Sequence, residues 1–541
     1  MPRSILSTPA SAGRFLACAF AGLTAACVVH GVAPAATLPA TPQTFDTSYV
    51  APTGATLTVA TGGDLQAALN QAQLGDTIVL QAGATFTGPF RLPNKTTGSG
   101  WIYVVSSDLA NLPPPGQRVG PNDAANMPKI VSLAYNNALA TVASSHHLRF
   151  VGIEFHPVAG AAEVYQLIAI GNSDASPATL PHHIVFDRCY VHGEPSANDR
   201  RGIEIDGAYV AVVDSYISDF QEAGTDSQGL WAYNTTGPLQ IRDNYIEAAS
   251  ENVLFGGADS HDASLVPADI EIRNNSFFKP LSLIGSRYVP KNMLEFKAAQ
   301  RALVTGNTFQ NNPAGGQDGF ALLITPRNQS GNAPWSVTSD IAVTYNTLIN
   351  VGSGFNISGQ DNEHPSQMTA RVLIRDNVIG VSGLNHADGR AFQVLAGGSD
   401  YTIDHNTVIN GAPASTASAL MMAESATSKV TNLTFTNNLA APTKYGFFGA
   451  NVGSGTPALN ANFTSWVFAK NVIVGAPSGS YPSGNFFPAS IAEVGFMNPG
   501  SGNYSLAPGS SYKAAATDGT DIGANLSGVP LPSPPGNVSV K

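Results

Sequence analysis

The segments "IEIRNNSFFK" (270–279), "ALVTGNTFQN" (302–311) and "VLIRDNVIGV" (372–381) share one pattern. Each begins with alternating apolar and polar residues, which predicts a short β-strand with one buried face. Each then reaches a turn-forming pair whose second member is Asn, and a second short segment follows. The recurrence of this pattern indicates an internal repeat, and the repeat decides the fold class.

The pattern recurs from residue 182 to residue 475, and Asn usually occupies the second place of the pair. The equivalent positions are Cys189, Ser215, Asn244, Asn275, Asn307, Asn346, Asn377, Asn406, Asn438 and Asn471. Consecutive positions are about 31 residues apart on average, which is typical of solenoid repeats. We interpret this column as structural, because Asn tolerates the left-handed backbone of tight turns and its amides can hydrogen-bond between coils.

The repeat indicates an all-β, single-domain parallel β-helix. Alternation with a period of two excludes helical repeats, and a propeller needs about four strands in ~40 or more residues. Short strands stacked about 4.8 Å apart fit the observed period better. The segment "TGGDLQAALNQAQLGDTIVL" (61–80) predicts a short amphipathic helix followed by a strand, and we expect this helix to cap the first coil.

The composition restricts the possible functions. Of the 541 residues only 12% are charged, 54 are Gly and 37 are Pro, which is typical of a turn-rich β protein. The net charge of −11 and the lack of a basic stripe argue against nucleic-acid binding. The sequence contains no GxGxxG, HExxH, GxSxG, CxxC or Walker motif.

The first residues predict an export signal. Arg3 and Arg14 precede the apolar run "FLACAFAGLTAACVV" (15–29), and small residues follow near Ala36. We therefore predict a signal peptide (1–36), an N-terminal extension (37–57), the β-helix (58–525) and a C-terminal tail (526–541). We expect a secreted or periplasmic bacterial protein without a membrane span; lipid attachment at Cys27 is the less favoured alternative. Cys189 would then be the single cysteine of the mature chain, which excludes an internal disulfide.

The chain resembles the right-handed parallel β-helix, or pectate-lyase-like, superfamily over residues 58 to 525. The segments "GTDSQGLWAYN", "ENVLFGGAD", "KNMLEFKAAQR" and "GFALLITPRNQ" further resemble a group of secreted bacterial β-helix repeat proteins without settled activity. The resemblance implies the fold and an extracellular location. Members of the superfamily include polysaccharide lyases, glycoside hydrolases, epimerases and adhesins, so fold alone does not select a function.

The strand after each Asn turn places a second set of side chains on the outer surface. One predicted outward column is Glu204, Trp231, Leu254, Glu295, Leu323 and Asn356. The adjacent column is Asp206, Tyr233, Gly256, Lys297, Thr325 and Ser358. Aromatic rings among charges and amides favour carbohydrate binding. The candidate substrate-binding residues are Trp231, Arg200, Arg201, Gln228, Lys291, Asn292 and Asn356.

Our first hypothesis is a polysaccharide lyase that acts by β-elimination on an anionic, uronate-containing chain. Arg327 would neutralise the sugar carboxylate, and Lys297 or Tyr233 would remove the C5 proton. Glu295 would orient Lys297. A surface ion pair between Glu295 and Lys297, without catalytic function, is the structural alternative.

Two other functions fit the same face. A glycoside hydrolase would use a carboxylate pair, either Glu204 with Asp206 or Asp206 with Asp226. A non-catalytic glycan-binding or surface protein would use the face without chemistry. No metal site is predicted from motif spacing, although Ca²⁺ could bind these acids as a cofactor. We expect a polysaccharide partner, no nucleic acid and a monomeric protein.

Overall fold

The chain winds through three long sheets, visiting each once per coil. The computed structural model describes residues 36–171, 176–425 and 427–527, so the predicted signal peptide lies outside the described residues apart from Ala36. Strands of successive coils pair in parallel, as in the register that joins Ile203 to Leu230 and Leu230 to Val253. This arrangement is a parallel β-helix and confirms the predicted fold class. The right-handed sense follows the strong general preference of parallel crossovers.

The first sheet has 14 strands. They are Thr56–Val59, Thr77–Leu80, Ile102–Ser106, His146–Val151, His182–Asp187, Ala208–Val213, Leu239–Arg242, Ala268–Arg273, Ala299–Thr305, Thr338–Thr344, Ala370–Arg375, Ser399–Asp404, Thr431–Thr436 and Trp466–Ala469.

The second sheet has 13 strands, of which the last two are antiparallel. They are Phe90–Leu92, Leu139–Thr141, Ile168–Ile170, Arg201–Ile205, Gln228–Ala232, Glu251–Phe255, Leu294–Phe296, Phe320–Ile324, Ser353–Ser358, Arg390–Leu395, Ala419–Glu424, Phe447–Gly449 and Gly453–Ser454. The candidate functional residues lie on this sheet and in the turns beside it.

The third sheet also has 13 strands. They are Thr85–Thr87, Lys129–Ser132, Glu154–Pro157, Tyr190–His192, Tyr216–Phe220, Tyr245–Ala248, Ser276–Phe278, Thr308–Gln310, Thr347–Val351, Val378–Val381, Thr407–Asn410, Leu439–Ala440 and Val472–Ile473. A separate antiparallel pair consists of Phe496–Asn498 and Asn503–Leu506.

Helices are short in the described part of the chain. The α-helices are Leu65–Gln71 and Thr456–Asn462. The 3₁₀ helices are Leu109–Asn111, Pro121–Asn126, Ala263–Leu265, Leu281–Leu283, Leu384–His386, Ser478–Ser480, Ile491–Val494 and Pro499–Ser501. The first α-helix lies within the segment predicted to be helical, and it buries Leu65 and Leu69 in the main core; its capping role stays a prediction. No helix among the described residues has both the length and the apolar character needed to span a membrane.

One hydrophobic cluster fills the interior from Val59 to Tyr481. Inward residues of all three sheets meet there, and aromatic rings stack between coils, as in the Phe255–Phe296 pair with ring centroids 5.4 Å apart. Burial of these apolar side chains is the main favourable term that holds the coils together.

The Asn column lies at the turn between the first and third sheets and is fully buried. Asn307 Oδ1 accepts the backbone N–H of Asn275 at 2.8 Å and its side-chain N–H at 2.9 Å. Asn307 in turn donates its backbone N–H and its side-chain Nδ2–H to Asn346 Oδ1, both at 2.9 Å. The chain of amides continues from Asn471 to Asn485, which lies outside the predicted column.

The left-handed residue of each turn is the one before the Asn. Asn274, Tyr345 and Asp376 have φ values of 56°, 59° and 53°, whereas the Asn residues that follow them have negative φ. The expected reason for Asn at this position is therefore half correct. The Asn side chains form the expected amide hydrogen bonds between coils. The left-handed backbone conformation, however, belongs to the residue before each Asn.

The N-terminal extension lies along the outside of the first sheet, and we call residues 37–50 the strap. Its backbone N–H groups at Thr37, Ala40 and Gln43 donate to Asp400, Asp340 and Asp269, at 3.1, 3.0 and 2.9 Å. At its far end the N–H of Val50 donates to Tyr103 Oη at 3.2 Å. From Thr37 to Val50 the strap thus runs from later coils of the β-helix to earlier ones.

The spacing of these contacts has a simple geometric reason. The aspartates that receive the strap lie two coils apart, so they are separated by about 9.6 Å. A chain in the polyproline conformation advances about 9.3 Å in three residues, and Pro39 and Pro42 favour that conformation. An N–H group at every third residue therefore meets an aspartate at every second coil.

We predict that Asn307→Ala lowers the free energy of unfolding by about 2–4 kcal/mol, because it leaves buried amide groups without partners. Urea denaturation measures the change. The matched control is Asn332→Ala at an exposed position, for which we expect less than about 0.5 kcal/mol. Equal effects of the two substitutions would contradict a stabilising amide column.

We predict that Asp340→Ala increases hydrogen exchange at the Ala40 amide and that Asp269→Ala increases it at the Gln43 amide. Each substitution removes the acceptor of one strap N–H group. Mass spectrometry of peptides from residues 37–47 measures the exchange. Unchanged protection in both variants would show that the strap does not depend on these carboxylates.

Candidate functional site

The outer face of the second sheet carries the predicted outward residues in one continuous register. The residues paired from coil to coil are, in order, Glu204, Trp231, Leu254, Glu295, Leu323 and Asn356. Side chains far apart in sequence are therefore neighbours on the surface, separated by one coil spacing of about 4.8 Å.

A cleft of about 580 Å³ opens on this face, and we call it the downstream cleft. Lys297 and Arg327 line it from adjacent coils, where the Arg327 N–H donates to the Lys297 carbonyl at 2.8 Å. Their side chains are 15% and 32% exposed. Asn356 also lines the cleft, and its Oδ1 accepts a hydrogen bond from Gln393 at 3.3 Å.

Carboxylates lie behind these two cations. Glu295 Oε1 is 3.8 Å from the Lys297 ammonium, and Asp361 Oδ1 is 3.1 Å from the Arg327 guanidinium. The side chains of Glu295 and Asp361 are only 2% and 3% exposed. The cationic groups therefore face the cleft, and their largely buried counter-charges form part of its wall.

Asp361 also fixes the turn that holds Arg327. It accepts the N–H groups of Asn328 and Glu363 at 2.8 and 3.0 Å. Burial alone would raise the pKa of Asp361, but these hydrogen bonds and the charge of Arg327 lower it below its ordinary value. Asp361 is thus an anchored anion that positions the guanidinium.

The loop after Arg327 is held from a distant coil. Asp259 accepts the N–H groups of Ser330 and Asn332, both at 3.0 Å through Oδ2. Trp335 Nε1–H donates to Ser260 at 2.9 Å. The turn at residues 256–262, which carries Asp259, and the turn at residues 360–365, which carries Asp361, therefore both support the wall of the downstream cleft.

A buried charge cluster adjoins the cleft and includes Glu251, which sequence analysis did not select. Gln228 Nε2 donates to Glu251 Oε2 at 2.8 Å. Lys291 Nζ lies 2.6 Å from Asp226 and 3.8 Å from Glu251 Oε1. Neither Glu251 Oε1 nor Glu295 Oε2 has a hydrogen-bond partner among the described residues.

Burial changes the protonation of this cluster. Together with the negative charges of Glu295 and Asp226, it raises the pKa of Glu251 to about 7. Burial also raises the pKa of Glu295, although Lys297 and Lys291 oppose the shift. The ammonium groups of Lys291 and Lys297 lie 3.8 Å from Glu251 and Glu295, and such neighbouring cations oppose binding of Ca²⁺, which takes six to eight oxygen ligands.

A second cleft, the upstream cleft of about 530 Å³, lies around Glu204, Trp231 and Tyr233. The Trp231 ring is covered: the Arg201 guanidinium lies 3.8 Å from one ring centroid, and Tyr233 stacks on it at 4.8 Å. Both aromatic residues are only 7% exposed. Both rings line the upstream cleft, but neither offers an open face on which a sugar could stack.

The exposed aromatic ring of this region is Tyr165, which is 46% exposed and lines the upstream cleft. Arg200 lies 4.6 Å from its ring centroid. Tyr165 occupies a less regular turn outside the aligned strands, so the strand alternation gave no signal for it.

The carboxylates of the hydrolase hypothesis do not form an open pair. Asp206 is fully buried, and its Oδ1 accepts the N–H groups of Tyr233 and Asn234 at 2.8 and 3.0 Å. Burial raises the pKa of Asp206 to about 7 and that of Glu204 well above its ordinary value. Asp226 is bound to Lys291, away from Asp206. Asp206 holds a turn, and only Glu204 of this pair lines a cleft.

Other predicted residues also have structural contacts. Asn292 is fully buried and donates to the Phe320 carbonyl at 2.8 Å. Gln228 is 1% exposed and bridges Arg201 to Glu251. Direct substrate contact by Asn292 or Gln228 therefore does not fit their burial.

The two proposed bases are separated. Tyr233 lines the upstream cleft and Lys297 the downstream cleft, after strands that lie two coils apart. Lys297 and Arg327 share a cleft, as the lyase hypothesis requires.

No protein-family model and no curated protein matches the sequence. Among solved structures, an alginate lyase from Paenibacillus sp. str. FPU-7 is 17% identical with a TM-score of 0.33, over 74% of this chain and 97% of that chain. The catalytic unit of a GH87 alpha-1,3-glucanase from Streptomyces thermodiastaticus strain HF3-3 is 14% identical with a TM-score of 0.47, over 81% and 70%. A variant of the PL6 family alginate lyase AlyGC is 14% identical with a TM-score of 0.48, over 88% of this chain and 57% of that chain. These similarities are too distant to assign a reaction.

We predict that Glu251→Gln weakens the pH dependence of stability. The folded protein holds the Glu251 proton more tightly than the unfolded chain, where the ordinary pKa is 4.5. This contribution is complete below about pH 4.5 and is lost as the pH rises through about 7. When the pH rises from about 5 to about 8, the free energy of unfolding should fall in both proteins. The fall should be roughly 1–3 kcal/mol smaller in the variant than in the wild type.

Urea denaturation at several pH values measures this difference. Glu424→Gln, at an exposed strand end, is the matched control and should keep the wild-type profile. Parallel profiles for wild type and Glu251→Gln would contradict the raised pKa.

Proposed function

We propose that the chain is an exported carbohydrate-active protein that cleaves an anionic, uronate-containing polysaccharide by β-elimination. The supporting observation is the downstream cleft, where Lys297 and Arg327 present cationic groups and the largely buried side chains of Glu295 and Asp361 lie against them. A sugar carboxylate would bind the guanidinium, since Arg offers paired donors that match carboxylate geometry.

The chemistry divides between two side chains. Arg327 neutralises the carboxylate at C5, which stabilises the negative charge that develops when the C5 proton leaves. Lys297, in its neutral form, takes that proton. A double bond forms between C4 and C5, the C4–O4 bond breaks, and the leaving oxygen takes a proton from water.

The buried acids position these groups. Glu295 lies beneath the Lys297 ammonium, and Asp361 holds Arg327 while its own carboxylate is fixed by two backbone N–H groups. Groups held by buried partners lose less conformational freedom when substrate binds, which favours catalysis. Asn356, on the same face, is a candidate for orienting a sugar hydroxyl.

A glycoside hydrolase is the second candidate. Burial raises the pKa of Glu295, and a raised carboxyl pKa favours the role of a general acid. Asp318 and Glu363 line the same cleft as exposed acids, and either could activate water.

We predict that Lys297→Ala lowers lyase activity by about 100-fold or more, because the proton acceptor is lost. Arg327→Ala should reduce activity to a similar degree through loss of the carboxylate partner. The assay follows the ultraviolet absorbance of unsaturated uronate products on alginate, pectin and glycosaminoglycans.

Lys429→Ala is the matched control, because Lys429 is exposed and lies outside both clefts. New reducing ends without the absorbance would favour the hydrolase. Binding without cleavage would favour a binding protein. Full lyase activity in Lys297→Ala would refute the role assigned to that residue.

A further inference from the structure

A cluster of four histidines lies on the first sheet, apart from both clefts. Two His–His pairs, in "SSHHLRF" and "PHHIVFD", begin the strands His146–Val151 and His182–Asp187. His146 and His182 are in register in adjacent coils. Their rings stack with centroids 4.8 Å apart, and those of His147 and His183 stack at 4.5 Å.

The backbone brings both rings of each pair to the same side of the sheet. His147 and His183 each have a φ of 55°, a left-handed conformation that interrupts the normal alternation of the strand. As a result, the two Nδ1 atoms within each pair are only 2.8 Å apart. Tyr209, Asp269 and Asp340 have the same left-handed conformation at the equivalent position of other coils, but only these two coils carry a His at that position and a second His directly before it.

The protonation of His146 is defined by its other nitrogen. His146 Nε2 lies 2.8 Å from the carbonyl oxygen of Lys95, which can only accept a hydrogen bond. Nε2 therefore carries the proton, and Nδ1 of neutral His146 presents its lone pair toward His147. Histidine ligands of metals commonly donate their second ring nitrogen to a backbone carbonyl in this way.

The surroundings favour neutral rings and give limited access to solvent. Trp101 packs edge-on against His147 at 5.2 Å, and Tyr209 stacks on His183 at 4.4 Å. Burial lowers the pKa of His147 and of His183 to about 4. All four histidines remain half-buried rather than enclosed.

We infer that His146, His147 and His182 form a binding site for a divalent late transition-metal ion, with Cu²⁺ preferred. One donor nitrogen from each of the three lies within 4.8 Å of the others. Nitrogens that are 2.8 Å apart, at metal–nitrogen distances of about 2.0–2.1 Å, subtend an angle of about 85° at the ion. This angle matches square-planar or tetragonal coordination better than the tetrahedral sites of Zn²⁺.

His182 would complete the site by a small ring rotation. Two nitrogens bound to one ion are at most about 4.2 Å apart, so its nitrogen needs to move by less than about 1 Å. Water would fill the remaining position. Cu²⁺ also forms the most stable complexes in the divalent series, which agrees with a site made of imidazoles.

Calorimetric titration of untagged, chelator-treated protein with CuSO₄ tests the site. We expect one ion per chain with a Kd at or below the micromolar range, weaker binding of Ni²⁺ and Zn²⁺, and none of Mg²⁺. His182→Gln and His147→Asn should each weaken Cu²⁺ binding at least 10-fold; Asn suits the left-handed position of residue 147. His261→Gln, at an exposed loop position, is the control and should bind as the wild type does.

Electron paramagnetic resonance gives a second readout that does not depend on the variants. The Cu²⁺ spectrum of the wild-type protein should be tetragonal, with hyperfine coupling to at least two nitrogens. Circular dichroism confirms that each variant is folded. The site would be refuted if folded His182→Gln and His147→Asn bound Cu²⁺ like the wild type, or if the bound ion showed no nitrogen coupling.

Discussion

The positions of all other residues depend on the buried amides through which each coil stacks on the next. Asn307 both accepts two N–H groups from the preceding coil and donates two to the following one, so a shift in register would break several buried hydrogen bonds together. The turn before it is left-handed in each coil, which directs the chain from the first sheet into the third. The apolar interior supplies most of the stabilisation, and the amide column supplies the register.

Because the register between coils is fixed, residues that are far apart in the sequence become neighbours on the surface. Glu295 lies beside Leu254 and Leu323 because their strands pair, although these residues belong to different repeats. The turns after the strands, which vary in length, then bring Asp361 to Arg327 and Asp259 to the loop at Ser330. The strands repeat from coil to coil, whereas the turns differ, so the turns give each part of the surface its own set of residues.

The candidate site is unusual in how it divides charge between surface and interior. Lys297 and Arg327 are partly exposed in the cleft, Glu251 and Glu295 are buried beside it, and the Asp361 side chain is only 3% exposed. Buried carboxylates are costly unless paired, so their retention near one cleft favours a functional interpretation over an incidental ion pair. The His pairs lie on the first sheet, several coils before this cleft, and His147 and His183 occupy the left-handed position that Tyr209, Asp269 and Asp340 occupy in other coils.

Sequence periodicity alone predicted the parallel β-helix, the Asn column and the outward position of Glu295 and Lys297, because all of these follow from a period of two within a repeat of nearly constant length. Burial was decided by tertiary contacts: Trp231 is covered by Arg201 and Tyr233, and Asn292 binds backbone. Glu251 went unrecognised because a buried acid at the start of an apolar strand resembles any polar strand end until its neighbours in adjacent coils are known. The sequence determines which residues share a face, whereas the lateral packing of coils and turns decides which of them reach solvent.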